Sequence, residues 1–157
     1  MIILFTLILI YILSSISIED NKTLLISENK LKLFSISGIL YLLCIGLSNK
    51  EIDVTELIMN NSLSMIIIFI IMYSISYISF KIFGVNSLGM GDIKLSSISA
   101  IWIGIELSFL SLCISFLLSA IYSLYGKFTK KLIPLQQYPF APFLSIGIFC
   151  SWIIDKI

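Results

Sequence analysis

The sequence predicts an all-α, polytopic integral membrane protein of about six transmembrane helices with its N-terminus outside. Composition is the first indication. Of 157 residues, 59% are hydrophobic and only 12% charged, where a soluble domain of this size carries about 25% charged residues. The second is a series of six apolar segments, near 1–18, 33–48, 62–83, 93–105, 107–126 and 139–154. Most approach the roughly 17–25 residues that a spanning helix needs. The third is the distribution of lysine. Lys22, Lys30, Lys32, Lys81, Lys94, Lys127, Lys130 and Lys131 follow segments one, three and five, whereas only Lys50 and Lys156 fall on the other side. The positive-inside rule then makes the odd-numbered connections cytoplasmic.

Taken in order, the first segment has no basic residue ahead of its apolar run and no small-x-small cleavage site. It is expected to remain as a permanent helix and not to be removed as a signal. Segments two and three read as ordinary spans, joined by the external connector "SNKEIDVTELIMNN" (48–61) with its three acids. The fourth, "IKLSSISAIWIGI", is short, and Glu106 separates it from the fifth. It is expected to be a brief helix or one half of a tight helical hairpin. The loop "GKFTKKLIPLQQYP" (126–139) leads to the last segment, with Gln136, Gln137 and Tyr138 polar enough to line a site. No repeat, low-complexity tract or second domain interrupts the chain, so residues 1–157 are expected to form a single membrane-embedded domain.

The same composition excludes several chemistries. A net charge of +1 leaves no basic patch for a nucleic acid. The chain has no His and no Arg, which removes His-based metal sites, Ser–His and Cys–His catalysis and arginine clamps. Cys44, Cys113 and Cys150 are far apart and show no CxxC spacing, so they read as free thiols acting as small hydrophobes. Neither a metal nor a cofactor is expected.

Two acids stand out once the topology is drawn. Asp20 sits where segment one ends and Asp92 where segment four begins, so both emerge at the cytoplasmic face at similar depth. A charged Asp at the centre of a bilayer helix costs about 2.5–3.5 kcal/mol, so such acids face a bundle interior or a watery cavity. Two carboxylates held close together share a proton. That arrangement suits aspartyl proteolysis, in which one member takes a proton from water and the other polarises the peptide carbonyl. Just ahead of Asp92, Gly89 and Gly91 lack a Cβ, which would let the backbone bend sharply and a substrate strand approach. Lys94 adds a positive charge two residues on. The plain structural alternative is a Gly-rich turn with Asp92 as a helix N-cap.

At these residues the chain resembles a known family. "GMGDIKL" resembles the G-x-G-D signature of type IV prepilin peptidases, integral-membrane aspartyl proteases. "SIEDNKTLLISENKL" is similar to the family's first-aspartate region and puts the first catalytic aspartate on Asp20, beside Glu19. "YPFAPFLSIGIF" is similar to the Pro-Phe-Gly-Pro-Phe-Leu segment that opens the last helix. The resemblance departs in two places: Ile26-Ser27-Glu28 replaces Ile-Pro-Asn/Asp, and Ala141 replaces a Gly. It implies a catalytic pair Asp20 and Asp92, with Gly89, Gly91 and Lys94 shaping the backbone or the substrate site. It further implies cleavage of the leader from prepilin-like precursors at the cytoplasmic face of a bacterial inner membrane. Many bacterial members also carry a paired-cysteine region and N-methylate the product. That region is missing here, so a stand-alone peptidase core without methyl transfer is expected. Two rivals remain. One is a small transporter or channel whose paired acids carry protons or cations, although the inverted repeat common in transporters is missing. The other is a catalytically silent relative acting as a membrane assembly factor.

Overall fold

In lipid every backbone N–H and C=O must be satisfied within the protein, which leaves a chain this apolar with helices or a closed barrel. The computed structural model describes residues 1–48, 53–84, 88–129 and 138–156. Among them the chain is helical, in five elements: α1 (Ile2–Thr23), α2 (Glu28–Ser48), α3 (Val54–Phe83), α4 (Met90–Phe128) and α5 (Ala141–Lys156). The first four are long and apolar enough to cross a membrane. Lys50, Glu51, Lys130, Lys131, Gln136 and Gln137, which bear on the topology and the last loop, lie outside the described residues.

Local signals set the ends. α1 runs past its apolar stretch to Thr23 and stops at Leu24, which adopts a left-handed conformation (φ 54°) and donates its N–H to the Asp20 carbonyl at 2.9 Å. α3 starts earlier than its apolar run. The Asp53 carboxylate accepts the Thr55 N–H at 2.9 Å and caps the helix, and Glu56 lies in the first turn where the dipole favours an acid. Much of the expected external connector is therefore helix from Val54 onward. A helix of 30 residues is about 45 Å long, against about 30 Å of hydrocarbon, so its polar first turns reach beyond the apolar layer. Gly84, with φ 69°, ends it.

α4 contains the main departure from linear reading. Gly104 has φ 71° and ψ −176°, a backbone region open essentially only to glycine. The chain reverses there. Along the first arm, Asp92 lies near Asp20 at the start of α5, and Trp102 lies against Trp152 near its end. Along the second arm, Ser111 and Ser115 meet Gly147, and Tyr122 returns to Phe143. Asn61 donates to the Ile101 carbonyl at 2.9 Å, satisfying an acceptor at the end of the first arm. Segments four and five are thus two arms of one element. The break falls at Gly104, two residues before Glu106.

Small residues let the helices approach. Ser108, Ser111, Ser115 and Ser119 form a buried stripe at helical spacing on the second arm. A Cβ on Gly147 would stand 2.3 Å from the Ser111 carbonyl oxygen and from Ser115 Oγ, the close small-residue contact that holds helices together in lipid. At the far end, Trp102 stacks between Phe34 and Tyr41, and its indole N–H donates to the Phe34 carbonyl at 3.0 Å. Large apolar side chains such as Ile3, Leu47 and Phe128 cover the outside. The described lysines sort by end. Lys22, Lys30, Lys32, Lys81, Lys94 and Lys127 gather where α1 ends and α4 begins, and Lys156 lies at the other.

Candidate active site

Three helix ends meet around Asp20. It occupies the last turn of α1, on the buried face defined by Leu9, Leu13 and Ile16, and is only 4% exposed. α1 runs antiparallel to α5, held by Ser17 Oγ to Ser145 Oγ at 2.9 Å and by Trp152 Nε1 to Thr6 Oγ1 at 3.0 Å. That pairing sets Asp20 directly over the start of α5, where its Oδ2 accepts the Ala141 N–H at 3.0 Å. The first N–H groups of a helix have no partner inside it, and they suit an acceptor such as a carboxylate. The "PFAPFL" segment therefore contributes through its backbone. Ala141 itself is fully buried.

Asp92 arrives from the opening turn of α4 and is 9% exposed. Gly89 is the N-cap, so Asp92 is the third residue of the helix and not its cap. From that position the side chain turns back on the cap. Its Oδ2 lies 3.2 Å from where a Gly89 Cβ would stand. The other oxygen, Oδ1, is buried with no hydrogen-bond partner among the described residues. An orphaned buried acceptor normally costs about 1–3 kcal/mol. Coulombic repulsion links Asp92 to Asp20. The two acids that the sequence singles out are therefore brought together, buried, at one end of the bundle.

The glycines act differently from the sharp bend anticipated for them. Gly89 has ordinary extended backbone (φ −69°, ψ 148°), and the positive-φ glycines of the described chain are Gly84 and Gly104. Gly91 instead permits contact, since a Cβ there would lie 3.1 Å from Ile26 Cβ in the α1–α2 connection. Lys94 is half-exposed, and its ammonium donates to Glu28 Oε1 at 2.8 Å. Glu19, beside Asp20, accepts the Ser27 N–H at 3.2 Å and pairs with Lys30 at 3.3 Å. Tyr138 meets Ser119 with 2.8 Å between hydroxyl oxygens. These pairings were not evident from the sequence. The Ala141 donor, Ile26 and Glu28 do all fall inside the stretches that carry the resemblance. A groove of about 400 Å³ opens beside the site on the outer face of α1, lined in part by Ser15, Glu19, Lys22 and Lys30. Neither aspartate reaches it.

Two buried carboxylates near each other, one accepting from a helix N-terminus and one with an oxygen unpartnered among the described residues, can hold a water and pass a proton across it. Comparison with known proteins points to a peptidase at family level. The type IV leader peptidase family matches residues 7–124, a span that takes in both aspartates. No curated protein and no solved structure matches the chain. With 118 of its 157 residues inside the match, this multi-pass membrane chain belongs to the type IV leader peptidase family.

Proposed function

We propose that the protein is an aspartyl endopeptidase that removes the leader from type IV prepilin-like precursors, using Asp20 and Asp92 to activate water. The observation that carries this reading is the approach of two buried carboxylates from distant segments at one end of the bundle. In the reactive state the pair holds one proton. The ionised carboxylate takes a proton from water while the water oxygen attacks the scissile carbonyl carbon. The protonated carboxyl gives its proton to the carbonyl oxygen, so a neutral tetrahedral diol forms. Collapse breaks the C–N bond: the carboxyl that gained the water proton passes it to the departing nitrogen, and one diol hydroxyl returns its proton to the other carboxylate as the carbonyl re-forms, so the pair again holds one proton. The products are a leader ending in a carboxylic acid and a mature chain with a new amine. Water is the only co-reactant.

The site lies at the lysine-rich end, which the positive-inside rule assigns to the cytoplasm. The N-terminus is then outside, the membrane is a bacterial inner membrane, and the α4 hairpin with α5 completes six passes. Gly89 leaves the start of α4 bare of a side chain where a substrate strand would lie beside Asp92, while Gly91 admits Ile26 against the same turn. The test mixes membranes containing the protein with a prepilin-type precursor and reads the product N-terminus by mass spectrometry. Cleavage ahead of the precursor's apolar helix, lost in both Asp20→Asn and Asp92→Asn, is the expected result. Full cleavage by both variants would falsify the aspartyl mechanism, and proton flux without cleavage would indicate a transporter.

A further inference from the structure

The connection between α1 and α2 comprises only residues 24–27, yet it touches both aspartate-bearing segments. On the α1 side, Ser27 N–H donates to Glu19 Oε2 at 3.2 Å. Lys30 Nζ lies 3.3 Å from the same oxygen and donates to the Ser15 carbonyl at 2.7 Å. The connection is thereby folded back onto the helix turn that carries Asp20. On the α4 side, Ile26 fills the space left by Gly91, one residue before Asp92. Glu28, the first residue of α2, holds Lys94, two residues after it, at 2.8 Å.

We propose that this connection is a strap that sets the separation of the two aspartates, with Glu28 and Lys94 as positioning residues. The proposal rests on the aspartyl reading of the site. Asp20 and Asp92 belong to α1 and α4, which meet at the far end through the rings of Phe5 and Trp102; at this end the Asp20 hydrogen bond runs to α5. Ile26 against Gly91 and Glu28 against Lys94 fix α4 to the strap on both sides of Asp92. Exposed ion pairs contribute little to stability, so breaking this one leaves the bundle folded. Its effect is on geometry, and proton transfer through a shared water is sensitive to sub-ångström displacement.

The experiment uses the full chain in membranes and a charge swap. Lys94→Glu and Glu28→Lys are each expected to lower kcat about tenfold or more with KM little changed, since a small misplacement can reach about a hundredfold. The double variant restores the pair in reverse and is expected to recover most of kcat, and the pH profile with it. A double variant that loses as much as the two singles combined overturns the proposal, as do singles with wild-type kcat. A second readout does not depend on cleavage: carbodiimide labelling of Asp92, read by mass spectrometry. Labelling is expected to rise in each single variant and fall back in the swap, and unchanged labelling in the singles overturns the strap. A wild-type protein that does not cleave removes the proteolytic reading, and the labelling pattern still decides the strap.

Discussion

Asp92 Oδ1, buried and without a partner among the described residues, is the atom that the aspartyl reading of the site puts to use. A buried acceptor without a donor costs about 1–3 kcal/mol, and under the proposed mechanism a proton shared with the neighbouring Asp20 carboxylate offsets that cost. Asn fits the space of either Asp but cannot exchange the proton. Asp20→Asn and Asp92→Asn are each expected to lower kcat/KM by about 10²–10⁴, the range of a lost general acid or base, with near-native thermal unfolding. Under the proposed mechanism the pair acts as one titrating unit, so kcat/KM is expected to follow a bell against pH. With both groups protonated there is no base, and with both ionised there is no acid, so activity falls on either side of the singly protonated state. A profile governed by one ionisation would count against the pair. The placement of both aspartates at one end was legible in the sequence, because the apolar segments and the lysine pattern put the end of the first segment and the start of the fourth at the same face. The Ala141 donor was not, because a backbone N–H leaves no mark on residue type. Its place became visible only when α5 was set against α1.

At the level of elements, Gly104 and Asp53 do the most to shape the chain. Gly104 has room for a methyl group, the nearest atom to its would-be Cβ being Asn61 Oδ1 at 3.8 Å. The obstacle to substitution is conformational, at φ 71° and ψ −176°. Gly104→Ala is therefore expected to destabilise the protein by about 1–3 kcal/mol, measurable as a lower unfolding temperature in detergent; an unchanged temperature would mean that the hairpin turns elsewhere. The break was half legible, since Glu106 marked an interruption in the apolar pattern while the residue that makes the turn looked like one more small residue. The start of α3 was misjudged for a related reason: its first turns are polar, and apolar periodicity is blind to helix beyond the lipid. Asp53 fixes that start. Hydrogen bonds from Thr55 hold its carboxyl below the ordinary value of 3.8, so the cap contributes fully above pH 3.8 and is lost as pH falls through the depressed value. Asp53→Ala is expected to speed hydrogen exchange at the Thr55 amide at neutral pH. The difference from wild type should narrow once the medium is acidic enough to protonate Asp53. A difference independent of pH would show that the carboxylate is not the cap.

On the scale of the whole molecule, the arrangement that makes a site also makes a direction. Tight seams such as Gly147 against Ser111 and Ser115 clamp the second arm of α4 to α5, so Tyr122 returns to the end where Asp20 and Asp92 lie. The lysine pattern, read from the sequence as an alternation of connections, becomes a spatial fact: six described lysines surround the aspartate end, and Lys156 stands at the other over the rings of Tyr41 and Trp152. Cytoplasmic retention of Lys and Arg acts on short connections of this kind, so the aspartate end is expected to face the cytoplasm. That orientation also suits the proposed activity, in which the precursors are made inside the cell and keep an apolar helix in the bilayer. In a background with Cys44, Cys113 and Cys150 replaced by Ala, a cysteine at Thr55, on the protruding start of α3, should react in intact cells with a membrane-impermeant maleimide. A cysteine at Lys127, at the end of α4, should react only after the membrane is opened. Thr55 and Lys127 lie at opposite ends of the bundle, so the pair of results fixes the orientation whichever way it falls. The reverse pattern would place the dyad outside the cell and remove the cytoplasmic leader as its substrate.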